Sequence, residues 1–192
     1  MQIPLTIEDV GAEEQAAMAA ALRARQLTGN GPICRAVQQE LQTTFGARHA
    51  LLTPSCTSAL EMAMLALDIG PGDEVILPSF TFVSTANCVM LRGATPVFAD
   101  ILPDTLNIDP ADVARRITPR TRAIVPVHYA GVACAMDALL ELSRAHGLAV
   151  VEDAVGREDR LVVLAGHRRD VVPARDVLCR EHEHDARPGP HR

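Results

Sequence analysis

Between Glu74 and Asp153 short apolar runs and helical segments take turns along the chain, and this alternation restricts the possible folds more than any other feature. Glu74–Leu77, Thr95–Ala99, Ala123–Val127 and Leu148–Val151 read as strands, each bounded by Gly, Pro or polar residues. A helix from about Val83 to Leu91, a short one opened by Asp109 as N-cap with Pro110 at its first position, and a third from Met136 to His146 separate them. Strands joined through helices pair in parallel, because each helix carries the chain back to the same end of the sheet. The expectation is a three-layer α/β/α unit with a mainly parallel sheet and helices on both faces.

Ahead of this unit lies LLTPSCTSALEMAMLAL, Leu51 to Leu67. Ala50–Leu52 reads as the end of a strand and Thr53-Pro54-Ser55 as a turn. From Ser58 to Leu67 apolar residues are dense enough to predict a buried helix. The junction Ser55-Cys56-Thr57-Ser58 is small and hydroxylated. Free backbone N–H groups and the positive end of the helix dipole meet there, so it suits an anion such as a phosphate, although N-capping by Ser or Thr alone also explains it. Further upstream, residues 11–26 form an Ala-rich helix with acids early and arginines late, broken by Thr28-Gly29-Asn30-Gly31-Pro32. Ile33, Val37, Leu41 and Phe45 then mark an amphipathic helix that stops at Gly46.

Composition excludes several classes. With 192 residues, 48% of them hydrophobic, the chain can build a real core and is not disordered overall. It shows neither a membrane-spanning run nor a signal peptide. The odd set Cys34, Cys56, Cys88, Cys134 and Cys179 has no C-x-x-C spacing, which suits free thiols in a reducing cytoplasm and gives no metal site. A net charge of −6 without a basic cluster in the first 150 residues argues against nucleic acid. All 18 residues counted as Lys plus Arg are Arg, so the chain has no lysine.

In a parallel α/β sheet ligands bind beyond the carboxyl ends of the strands, where Ser55–Ser58, Phe80/Phe82, His128/Tyr129 and Asp153 fall. These groups suit a planar, phosphorylated, nitrogen-containing ring. The serine-rich turn would take the phosphate, Phe82 would stack on the ring, and Asp153 would pair with a ring N–H⁺. Phe82 as a core aromatic, Asp153 as a cap or metal ligand and His128 as a satisfied core histidine are the alternatives, the last being the better reading of His128.

The segments LLTPSCTSALEMAMLALDIGPGDEVILPSFTFVSTAN, PVHYAGVACAMD and VVEDA resemble the DegT/DnrJ/StrS sugar-aminotransferase family of fold-type I pyridoxal 5'-phosphate (PLP) enzymes. The resemblance runs from about residue 3 to Ala154. It implies a large PLP-binding domain and transfer of an amino group from glutamate to a dTDP-4-keto-6-deoxy sugar in cell-envelope polysaccharide biosynthesis. It further implies a cytoplasmic homodimer in which Cys56 and Thr57 bind the cofactor phosphate, Phe82 stacks on the pyridine and Asp153 meets its nitrogen.

The sequence departs from the family after E-D-A. The family continues A-Q-G, with a Gln on the cofactor, whereas Val155-Gly156 follow here. The S-F-H-x-T-K-N segment with the Schiff-base lysine and the small C-terminal domain do not occur, so no catalytic residue is assigned and the chain alone is expected to be inactive. Residues 155–192 hold 8 of the 18 arginines and 4 of the 7 histidines but no aromatic. Apart from a possible strand at Leu161–Ala165, this tail reads as frameshifted or disordered, which divides the chain at 154 into a truncated PLP-binding domain and an atypical tail. A sugar dehydratase of the same family, with His182 or His184 in place of the lysine, and a non-catalytic module that binds cofactor or a full-length subunit are the competing readings.

Overall fold

The computed structural model describes residues 10–25, 27, 29–154 and the short strand at 163–165. The elements run α1 (Ala12–Ala24), α2 (Pro32–Phe45), α3 (Cys56–Ala66), β1 (Glu74–Pro78), α4 (Ser84–Met90), β2 (Thr95–Ala99), α5 (Pro110–Arg116), β3 (Thr121–Ile124), a 3₁₀ turn (Tyr129–Gly131), α6 (Met136–His146), β4 (Ala149–Glu152) and β5 (Val163–Ala165).

The strands form one sheet in the order β2-β1-β3-β4-β5, with β1 to β4 parallel and β5 antiparallel to β4. The parallel sheet and most strand and helix bounds therefore match the expectation, and β5 lies within the strand expected at Leu161–Ala165. The remainder of 155–192, including His182 and His184, lies outside the described residues, as does the expected disorder of the tail.

Side chains alternate across the sheet and divide the core in two. Val75, Leu77, Ala123, Val125, Ala149 and Val151 face α3 and α4 and pack on Leu60, Met64, Cys88 and Val89. Ile76 and Ile124 face α5 and α6 and pack on Val113 and Leu139. The strand order reverses at β1, which has β2 on one side and β3 on the other. Such a reversal opens a crevice beyond the carboxyl ends of the strands.

Three expectations need correction. Ala50–Leu52 forms no strand, and Leu51 is exposed. The described sheet runs from β2 to β5 without this segment, which leads instead into the Ser55 cap of α3. The helix α3 is half-buried rather than buried: it seals Leu60, Ala63 and Met64 while Met62 and Leu65 face outward. The strand expected at Ala123–Val127 is β3 at Thr121–Ile124, since Pro126 has no N–H to give to a ladder. Beyond that proline the chain rejoins the sheet through a single parallel bridge, Val127 to Asp153.

Candidate functional site

The carboxyl ends of β1, β3 and β4 and the start of α3 meet around Asp153. Ser55 is the N-cap of α3: its side chain accepts the Ser58 N–H at 3.2 Å, so capping is part of what this turn does. The cap leaves a remainder. Among the described residues the N–H groups of Cys56 and Thr57 have no acceptor, and both residues are half-buried. Two backbone donors and the helix dipole therefore converge beside the Ser55 and Ser58 hydroxyls, which lie 3.1 Å apart.

Asp153, at 5% exposure, follows directly on β4. By strand alternation it lies on the α3/α4 face with Val151, and its partners confirm that placement. The Thr85 hydroxyl donates to Oδ2 at 2.9 Å, and the Cys56 thiol approaches Oδ1 at 3.6 Å. Because Thr85 spends its one proton on Asp153, the Thr81 hydroxyl 2.9 Å away is the donor to Thr85. Burial, followed by the charge on Asp153, pushes the Cys56 thiol up to about 12, and Cys88 rises to about 11 for the same two reasons. Both sulfurs thus keep their protons at neutral pH, and Cys56 serves as a donor rather than a nucleophile.

Among the described residues no Arg or His forms an ion pair with Asp153. A buried carboxylate held by two neutral donors is undercompensated, and a cationic N–H would complete it. The arrangement accordingly fits a molecule with an anionic group at one end and a protonated ring nitrogen at the other.

Phe82 lies on the connection from β1 to α4, and its carbonyl accepts the N–H of Thr85, the residue that donates to Asp153, at 3.1 Å. At 74% exposure it is not a core aromatic. Phe80 instead meets Tyr129, with ring centroids 4.8 Å apart and planes tilted by 50°. His128 is fully buried and bonded at both ring nitrogens, the satisfied core histidine of the sequence reading. Thr85 and Thr81 were not singled out from sequence; their four-residue spacing at a helix start is the available signal.

The family model for the DegT/DnrJ/EryC1/StrS aminotransferase family matches residues 8–156. This chain belongs to that family. The spore coat polysaccharide biosynthesis protein SpsC of Bacillus subtilis is 47% identical over 152 residues, which cover 79% of this chain and 39% of SpsC. Among solved structures, DesI in the presence of its TDP-sugar product is 40% identical with a TM-score of 0.67, covering 74% of this chain and 36% of DesI. NtdA from Bacillus subtilis with bound cofactor PMP, the amine form of PLP, is 34% identical with a TM-score of 0.71, covering 76% of this chain and 34% of NtdA. The chain therefore spans about two fifths of the curated relative. The family is one of PLP enzymes, and its solved members include PLP and PMP forms.

Proposed function

We propose that this chain is the cofactor-binding part of a PLP-dependent sugar aminotransferase, acting between glutamate and a dTDP-4-keto-6-deoxy sugar in the cytoplasmic synthesis of a cell-envelope polysaccharide. The observation that carries the reading is the buried Asp153 carboxylate beside the start of α3, with the Cys56 thiol 3.6 Å from it. DesI with its TDP-sugar product supports a nucleotide sugar, and SpsC supports a polysaccharide pathway. No helix among the described residues is long and apolar enough to cross a membrane.

On this reading the Cys56 and Thr57 amides bind the cofactor phosphate, with Ser55 and Ser58 contributing hydroxyls. Asp153 holds the proton on the ring nitrogen, and Thr85 and Cys56 keep that carboxylate aimed. Phe82 covers one ring face and excludes water from it. When bound, PLP supplies an electron sink for bond breaking at the amino-bearing carbon. Amino transfer further needs an amine that holds the cofactor covalently and moves a proton between carbons. Arginine stays protonated and cannot take that part, and the sequence has no lysine. The 192 residues alone therefore bind the cofactor without turning over, which is the specific support for a non-catalytic role of this piece. In the full-length family arrangement a second copy would be its partner.

The test has two arms. Titration of the chain with PLP, read by absorbance, should saturate, and Asp153→Asn should weaken it; equal binding by both proteins would remove the cofactor reading. An assay with dTDP-4-keto-6-deoxyglucose, glutamate and PLP should give no amino sugar above the protein-free blank. Turnover that copurifies with this chain, full-length enzyme being excluded by mass spectrometry, would overturn the inference of inactivity.

A further inference from the structure

Two carboxylates stand side by side where β4 ends, Glu152 and Asp153, and both are buried. Consecutive residues of a strand point to opposite faces, so one of them reaches the crevice beside α3 and the other the layer of α5 and α6. A slip of one residue would exchange them. Strand burial does little to prevent the slip, because β4 is apolar on both faces: Val150 and Val151 are equally sealed.

What distinguishes the faces is polar. The His128 ring accepts the Cys134 N–H on Nδ1 at 3.1 Å. The ring proton is thereby assigned to Nε2, which donates to Glu152 Oε2 at 2.9 Å. His128 and Glu152 are essentially inaccessible to solvent, and Cys134 belongs to the core cluster of the α5/α6 face. The backbone of the same residue completes a clamp: the His128 N–H donates to the Asp153 carbonyl at 3.0 Å, and the Asp153 N–H donates to the Pro126 carbonyl at 2.9 Å. The turn that carries the clamp is held from below. Buried Asn107 donates to the Val132 and Ala133 carbonyls at 3.0 and 3.1 Å and accepts the Tyr129 N–H at 3.0 Å.

We propose that His128 is a positioning residue that selects Asp153 over Glu152 for the cofactor nitrogen. It does so by holding Glu152 on the far face of the sheet while its own N–H holds the Asp153 backbone. The proposal rests on the cofactor reading given above, and the experiment separates the two. His128→Leu deletes both ring hydrogen bonds; His128→Gln retains a donor toward Glu152; Glu152→Leu deletes the acceptor and places an apolar side chain in an apolar layer. Asp153→Asn is the control for the cofactor reading itself. Each full chain is titrated with PLP by absorbance, and hydrogen exchange is followed at the amides of His128 and Asp153, with Leu77 and Val89 reporting the core on the α3/α4 face.

The expected result for His128→Leu is a loss of about tenfold in PLP affinity, the scale on which partners that orient a ligating group act. Its His128 and Asp153 amides should exchange faster while Leu77 and Val89 stay protected. His128→Gln should recover most of the affinity. Asp153→Asn should lose affinity with no change in exchange at His128. If His128→Leu loses protection throughout, Glu152→Leu carries the same expectation. Unchanged affinity and unchanged exchange at Asp153 in a folded His128→Leu or Glu152→Leu, with Asp153→Asn weakened, would overturn the positioning role alone. Unchanged affinity in Asp153→Asn would overturn the cofactor reading and the positioning role with it.

Discussion

The helices α1 and α2 carry local signals as clear as those of α3 and α6, yet neither buries a single residue, whereas α3 and α6 each seal part of the core. The Glu14 side chain accepts the Gly11 N–H at the start of α1. Pro32 opens α2, and Gly46, with φ at +64°, closes it with its N–H on the Gln42 carbonyl. In α6 the same glycine device at Gly147, with φ at +65°, ends a helix whose Leu139 is fully buried. Caps thus decide where a helix begins and stops, and they are nearly independent of whether it has anything to pack on. Ile33, first residue of the apolar stripe of α2, is 58% exposed, so the period that predicts an amphipathic helix predicts nothing about its partner.

This contrast can be broken by mutation. The largest effect is expected in the sheet: Leu77→Ala empties a fully buried position between the strands and the α3/α4 layer and should lower the unfolding free energy by about 3 kcal/mol in denaturant titration. A loss below about 0.5 kcal/mol there would mean that this core is no tighter than the surface of α2.

An intermediate effect is expected at Asp112, where α5 is tied to the end of β2. The Asp100 N–H donates to Asp112 Oδ2 at 2.7 Å, and Arg115 and Arg116 bond the same carboxylate. The Asp100 N–H first, and then Arg116, hold its carboxyl at about 2, below the ordinary 3.8. A depressed carboxyl contributes stability that is present above the unfolded value and lost as pH falls toward the folded one, here between about 4 and 2. Both arginine side chains are more than a third exposed, so solvent screening reduces the contribution to the order of 1 kcal/mol. Asp112→Asn should cost about that much at neutral pH and should flatten the acid limb of the stability profile. An acid limb as steep as that of the unsubstituted chain would place the titration elsewhere.

The smallest effect belongs to α2. Ile33→Ala should change the unfolding free energy of the 192-residue chain by less than about 0.5 kcal/mol, because the side chain leaves little environment behind. A change as large as that of Leu77→Ala would show that α2 packs in solution and would erase the contrast between the two regions.

Much of this architecture is legible in the amino-acid order. The bounds of β2 and α6 follow from apolar runs and from Gly93 and Gly147, both at positive φ. Asp109 caps α5 with its side chain on the Ala111 N–H at 2.9 Å, as its place before Pro110 predicts. The meeting of Ser55–Ser58 with Asp153 at one sheet edge follows from strand order and the rule for parallel sheets. Where composition misleads, it does so on context: Ala50–Leu52 has strand composition but takes no place in the described sheet, and α3 has the composition of a buried helix with only one face covered.

Short-range chemistry is written along the chain because caps, turns and periodicity involve residues a few positions apart, whose energies are nearly the same in any fold. The partners of Asp153 are a different matter. Thr85 lies 68 positions away in sequence and Cys56 lies 97, and the spacing of Thr81 and Thr85 marks the pair without naming that carboxylate as its acceptor. Nor does the order Glu152-Asp153 say which acid faces α3. That choice needs the register of β4 on β3 and the His128 ring on the opposite face, contacts that exist once the sheet has closed.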